Sequence, residues 1–406
     1  MSAPAPVRIL DRTTPPHILT LVLLAGLSAM NMSMFLPSLP AMTVYFATDY
    51  ATMQLAVSLY LAATAALQLV IGPLSDRFGR RPVVLASLGI FIAATLGCLL
   101  APTALVFLAF RIAQSTAVVG IVLSRAIVRD IYPQSEAASR IGYVTMGMAL
   151  IPMIAPILGG ALEQISGWRA TFVFLLAAGV LVWWLCRADL GETARNTRVT
   201  FGQQLRDYPE LLRSRRFWGY ALACAFASAA FFAFLGGAPN VAGEIFGLTP
   251  LWTGVSFGAP AAGYLFGNYL TGRFSARVGI NPMILAGALA ATGGLGLSLA
   301  LGFLGISGPV LFFSLITTLG LGNGLVMPNA TAGMLSVRPE LAGTASGLGG
   351  AIMIGGGAAL SVLAGHLQQG SATPVPLQWL MFLASAMSLV CTLYVLRVER
   401  DARLAS

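Results

Sequence analysis

The chain has 406 residues, 57% of them hydrophobic and only 9% charged, with a formal net charge of +9. A soluble domain carries about 25% charged residues, so this composition excludes an ordinary globular enzyme and points to a polytopic membrane protein. The basic surplus is all arginine, and in a membrane chain it reads as an orientation signal, so no nucleic-acid partner is expected.

A bilayer core of about 30 Å needs about 20 apolar residues as helix. Residues 18–48, 50–75 and 82–110 carry no charge, and 104–128 is interrupted only by Arg111 and Arg125. The fifth and sixth spans are 141–162 and 170–186, and the seventh and eighth are 217–243 and 245–272. Residues 278–337 make two spans turning at 305–309, and 341–396 make two more turning near 365–376, twelve in all. The predicted fold is an all-α membrane protein of two six-helix halves. Residues 1–186 form the first half, the polar stretch 187–216 connects, and 217–406 form the second.

An even number of spans places both termini on one side. Every arginine except Arg111 and Arg169 falls on that side, whereas the opposite loops offer only Asp49, Glu163, Arg169, Glu244 and His366. The arginine-rich side is predicted to be cytoplasmic, in a bacterial inner membrane. Cys98, Cys186, Cys224 and Cys391 lie scattered in apolar runs and read as small core residues. Neither a disulfide, a metal nor a cofactor is expected.

The densest polar island is Gly72-Pro-Leu-Ser-Asp-Arg-Phe-Gly-Arg-Arg81, which holds Asp76, Arg77, Arg80 and Arg81 between two charge-free runs. Gly72 and Gly79 allow a tight reversal there, and Pro82 suits the first turn of the next helix. An echo follows the eighth span, where Leu270-Thr-Gly-Arg-Phe-Ser-Ala-Arg277 aligns with residues 74–81 and sets Gly272 opposite Asp76. Two related halves imply alternating access with cargo held between them.

These stretches resemble the major facilitator superfamily over essentially the whole chain. The island resembles its loop 2–3 signature, Phe110-Arg-Ile-Ala-Gln114 its fourth-span signature, and Ala155-Pro-Ile-Leu-Gly-Gly160 its antiporter signature. Phe35-Leu-Pro-Ser-Leu-Pro40, Arg125-Ala-Ile-Val-Arg-Asp130, Phe246-Gly-Leu-Thr-Pro250 and Gly324-Leu-Val-Met-Pro-Asn-Ala330 resemble the Bcr/CflA group of drug exporters. The resemblance implies proton-coupled antiport of small lipophilic drugs or antibiotics by a monomer in the bilayer. It also implies a first-span acid that carries the proton, and here Ser33 stands at that position; Ser115 likewise replaces a glycine after Gln114.

The family places the start of span eleven, Gly343-Thr-Ala-Ser346, against the loop 2–3 acid. Asp76 is therefore expected to meet that helix terminus, with Arg129 as an ionic partner, as a latch between halves. Pro152, Pro156, Gly159 and Gly160 bend and thin span five, which suits a seal between halves. Arg111 is the one charge well inside a span, costing at least about 2.5–3.5 kcal/mol, so it needs a cavity or a partner. It either holds backbone carbonyls and amides, attracts an anion, or lies near Asp49 or Glu163. Asn31, Phe35, Tyr60, Gln68, Arg111, Gln114, Phe231, Tyr264, Asn268 and Asn329 are the candidate substrate contacts, a mostly neutral and aromatic set. Glu163 and Glu244 are the remaining candidates for proton coupling. Export of a native anionic metabolite or metallophore is the alternative reading.

Overall fold

The computed structural model describes residues 8–131, 151, 154–193, 209, 211–338 and 342–404. All regular structure among them is helical. Helix α1 (Ile18–Ser33) continues through a 3-10 turn at Leu36–Ser38 into α2 (Leu39–Tyr45). Pro37 and Pro40 open these two short elements, where a missing N–H leaves no bond unmade. Next come α3 (Tyr50–Phe78), α4 (Arg80–Leu100) and α5 (Ala104–Ala113), which a 3-10 turn at Gln114–Val118 links to α6 (Val119–Ile131). Helix α7 covers 154–166, and α8 is Trp168–Asp189.

The remaining helices are α9 (Arg215–Asn240), α10 (Pro250–Ser256), α11 (Gly258–Val278), α12 (Ile280–Phe303), α13 (Pro309–Leu335), α14 (Ala342–Gln368) and α15 (Val375–Leu404). A π-turn at Val241–Ile245 extends α9. Among the described residues, ten helical runs are long and apolar enough to cross a membrane. The other two predicted spans correspond to α7 and to α10 with α11, so the twelve stretches each have a helical counterpart. The predicted turn at 305–309 falls between α12 and α13, and the turn near 365–376 between α14 and α15. Most of the connecting stretch 187–216 lies outside the described residues.

The internal echo is real, but its register differs from the sequence alignment by one helical turn. Gly79 ends α3 at φ 95° and Gly279 ends α11 at φ 92°, a left-handed geometry that favours glycine. In each case the glycine N–H donates four residues back, to the Ser75 carbonyl at 3.0 Å and the Ser275 carbonyl at 2.9 Å. Pro82 and Pro282 then sit in the first turns of α4 and α12. Backbone geometry thus matches Gly72 with Gly272 and Asp76 with Ala276, because the cap glycine, not the arginine spacing, sets where the helix stops.

Two acids fasten the arginine-rich end from a distance in sequence. Asp189, fully buried at the end of α8, accepts from Leu10 N–H (2.9 Å), His17 N–H (2.8 Å) and the Thr20 hydroxyl (2.7 Å). It thereby holds the chain entering α1 and caps that helix. Glu192 accepts from the backbone N–H groups of Arg80 (2.8 Å) and Arg81 (3.3 Å), doing the same for α4. Replacing Asp189 by Ala strands buried donors at α1, each unmade bond costing about 1–3 kcal/mol. Asp189→Ala is therefore expected to lower the melting temperature of the detergent-solubilised protein, followed by tryptophan fluorescence, and Asp189→Asn to lower it less.

Candidate functional site

Five of the predicted contacts come together as one fully buried cluster around Arg111. Its Nη1 donates to Asn31 Oδ1 at 2.8 Å and to Gln114 Oε1 at 2.7 Å, and its Nη2 donates to the Asn31 carbonyl at 2.7 Å. Its Nε donates to the Ala56 carbonyl at 3.2 Å. The guanidinium faces lie 4.3 Å from the ring centroids of Phe35 and of Tyr60. Gln114 Nε2 donates in turn to the Thr95 hydroxyl at 2.7 Å, which donates to the Phe91 carbonyl at 2.7 Å. Of the readings open from sequence, the structure fits a charge matched by carbonyls, amides and rings. Neither Asp49 nor Glu163 touches it.

The other predicted contacts are dispersed. Half-buried Gln68 on α3 has its Oε1 3.2 Å from where a Cβ on Gly350 of α14 would stand, so it faces the second group of helices. Tyr264 is half-buried, and Asn268 Nδ2 is spent on the Tyr264 carbonyl one turn back at 2.8 Å. Asn329 is buried and joins α13 to α11, accepting from the Ser275 hydroxyl (2.5 Å) and donating to the Thr271 hydroxyl (3.2 Å). Phe231 is partly buried beside Phe232 and Phe234, with centroids 6.0 and 6.4 Å away. Ser33 is buried and donates to its own helix at Ala29 (3.3 Å).

At the arginine-rich end the predicted latch residues bond within the first group. Asp76 pairs with Arg80 at 2.6 Å, one helical turn on, and Arg80 also pairs with Asp130 of α6 at 3.0 Å and donates to the Ser75 hydroxyl. Arg81 donates to the carbonyls of Leu190 (2.9 Å) and Arg187 (3.2 Å), while exposed Arg77 lies over the Phe78 ring. Glu192 meets the terminus of α4 and Arg80 meets Asp130, while the terminus expected to receive Asp76 lies outside the described side chains. Gly72 has open space around it. The Arg129 side chain, Pro152, and the side chains of Gly343, Thr344 and Ser346 lie outside the described residues.

At the opposite end the two groups of helices are in direct contact, and span five supplies the closest approach. A Cβ on Gly160 of α7 would run into the Pro250 carbonyl and stand 3.1 Å from Leu251 Cα on α10. Reciprocally, a Cβ on Gly254 of α10 would run into the Pro156 carbonyl and stand 3.0 Å from Ile157 Cα. Gly159 abuts the Met34 carbonyl on the other side of α7. Two further cross-links were not foreseen: Gln54 Nε2 of α3 donates to the Ser361 hydroxyl of α14 (2.7 Å), and the Tyr50 hydroxyl donates to the Gly236 carbonyl of α9 (2.8 Å). The small residues concentrated at 355–365 were the available signal, since such residues in apolar helices mark close packing. Glu163 is buried in this region and its Oε2 has no hydrogen-bond partner, whereas Glu244 is exposed in the π-turn.

The family model described as Major Facilitator Superfamily matches residues 21–362. The chain belongs to the major facilitator superfamily. Members of this superfamily are transporters, so the protein is a membrane transporter and not an enzyme. It is 30% identical to multidrug resistance protein D of Escherichia coli strain K12 over 368 residues, covering 87% of this chain and 90% of that one. It is 28% identical to the bicyclomycin resistance protein homologue of Haemophilus influenzae over 377 residues, covering 90% and 92%. These relatives agree with the Bcr/CflA resemblance read from the motifs. The fold is also that of a bacterial homologue of the human lysosomal transporter Spinster, solved in an inward-facing and occupied conformation: TM-score 0.72, 17% identity, 94% and 96% of the two chains covered.

Two outcomes follow for this major facilitator transporter. Arg111→Lys keeps the charge but loses the fork, forfeiting two or more charge-assisted bonds at about 1.5–3 kcal/mol each. It is expected to lower the melting temperature and the yield of monodisperse protein on size exclusion. Gly160→Val and Gly254→Val place methyl groups against backbone that cannot withdraw. Each is expected to keep the fold, read by circular dichroism, while abolishing transport in reconstituted vesicles.

Proposed function

We propose that the protein exports small lipophilic compounds, drugs and antibiotics among them, by alternating access of two six-helix halves. The halves are residues 1–186 and 217–406, joined by 187–216, with the arginine-rich end and both termini in the cytoplasm of a bacterial inner membrane. The observation that carries this reading is the backbone-to-backbone contact between the groups of helices at the arginine-poor end. They are sealed by α7 on α10 and by α3 on α9 and α14 at the arginine-poor end. Toward the other end, a Cβ on Gly72, Gly347, Gly355 or Gly356 would meet nothing within 4 Å among the described residues, and Gln68 still reaches α14 at Gly350. Close contact at the arginine-poor end supports a state that takes its cargo from the cytoplasm.

The class of cargo is supported by the printed names of the relatives, which include multidrug and bicyclomycin resistance proteins. It is also supported by the faces toward the seam, where Phe231, Phe232, Tyr264 and Gln68 offer apolar and aromatic area with few hydrogen-bonding groups. The rival reading, an anionic metabolite or metallophore, drew on Arg111 as a free cation. That guanidinium is hydrogen-bonded to protein along its edges and lies against two aromatic rings, which favours the lipophilic reading. Protons are the proposed counter-ion and the protein is proposed to act as a monomer in the lipid bilayer.

Inside-out membrane vesicles carrying the protein are expected to accumulate chloramphenicol and bicyclomycin when energised by respiration, and control vesicles are not. Adding a protonophore is expected to release the accumulated drug. Accumulation that survives the protonophore would end the antiport claim, and failure to accumulate any of a lipophilic panel would end the export reading.

A further inference from the structure

The seal at the arginine-poor end contains one buried acid. Among the described residues the charges and histidines at that end are Asp49, Glu163, Arg169, Glu244 and His366. Asp49 is exposed and caps α3 through Thr52 N–H at 2.6 Å, a bond that holds its carboxyl below the usual range. Glu244 and His366 are exposed, and exposed Arg169 is spent on Tyr45, whose hydroxyl it donates to and whose ring it covers at 4.6 Å. Glu163 differs from all of them: it is only 9% exposed and one carboxylate oxygen lacks any hydrogen-bond partner.

Its surroundings explain why this is unusual. The carboxyl lies one turn beyond Gly159 and Gly160, where α7 meets the Met34 carbonyl on one side and the Pro250 carbonyl on the other. Ser38, also buried, stands against it. The stretch 34–38 carries no charge, α10 carries none, and α7 carries none besides Glu163 itself. An ionised carboxylate in such a place has little access to water and no cation on these three elements to compensate its burial, whereas the neutral acid costs far less. Closing the seam therefore favours proton uptake, and by linkage proton uptake favours closing the seam.

We propose that Glu163 is the residue through which proton binding closes the seal between the two halves. With the halves apart, the carboxylate meets water on the arginine-poor side and takes a proton from it. The neutral acid then enters the seam between the 34–38 turn, α7 and α10. Loss of that proton to water leaves an uncompensated negative charge in the seam and drives this end open. The proposal rests on the alternating-access reading and assigns to the end of span five a task that Ser33 cannot perform in span one.

The test measures the gate without any drug. Val44→Cys on α2 and Trp252→Cys on α10 place spin labels at exposed positions on either side of the seam, 81% and 59% accessible, while all four native cysteines are buried. Double electron–electron resonance in nanodiscs then reads the closed and open distance populations as pH is varied. In the otherwise native protein the closed-to-open ratio is expected to rise as pH falls, by up to about tenfold per pH unit, the limit for one proton. Glu163→Gln is expected to stay closed at every pH, and Glu163→Asp to keep the response. A native protein with no pH response would overturn the proposal. So would a Glu163→Gln protein that responds like the native one or stays open. Drug accumulation is measured separately in vesicles, so failure of the export reading and failure of the gate are distinguishable.

Discussion

A guanidinium buried at bilayer depth without a carboxylate must be matched by neutral groups from every direction. Arg111 is matched in that way, and the requirement organises the first half of the molecule. Its partners come from α1 through Asn31, from α3 through Ala56 and Tyr60, and, by way of Gln114, from α4 through Thr95. Gln114 accepts from Arg111 and donates to Thr95, so each of its amide atoms has one task. Both carbonyl and side chain of Asn31 accept from the same guanidinium, which fixes the rotation of α1 against α5. The 3-10 turn that follows Arg111 turns the same continuous span from this cluster toward the arginine-rich end.

Against that rigid half, the contact between halves is built from different material. It uses glycine and proline backbone, one glutamine–serine bond and one tyrosine–carbonyl bond, and no ion pair among the described residues. Small residues gain energy through close approach and lose it steeply with separation. Such a seam can exist in two states, together or apart, without breaking a strong bond. At the arginine-rich end Asp76–Arg80–Asp130 and Arg216–Glu399 are ionic bonds that each lie within one group of helices.

The internal echo illustrates what sequence spacing conveys and where it slips. Matching arginine to arginine aligned Asp76 with Gly272, whereas the backbone aligns it with Ala276, because a helix ends where glycine can take a left-handed conformation. With that register, Ser75, Gly79 and Pro82 recur as Ser275, Gly279 and Pro282. Arg77 recurs as Arg277, but Arg81 becomes Asn281, which joins Tyr220 and Glu399 instead of backbone carbonyls.

The number and order of spans, the turns between them and the family were legible in the chain, because apolar length and arginine placement are local properties. The existence of a problem at Arg111 was legible too, since a charge in an apolar run is visible in one dimension. Its solution was not: Ala56 and Thr95 carry no mark of their task, and backbone carbonyls are present at every residue. Asp189 and Glu192 looked like ordinary loop acids, yet each caps a helix more than one hundred residues away in sequence. Glu163 was legible as an acid near a span end, but only packing beside Ser38 of the 34–38 turn showed it to be buried. Which segments cross the membrane and which superfamily they form could be read along the chain, for hydrophobicity and motif are written residue by residue. The tertiary structure alone decided which polar groups meet, because in a bilayer each must find its partner on another helix, and distance along the chain says nothing of that.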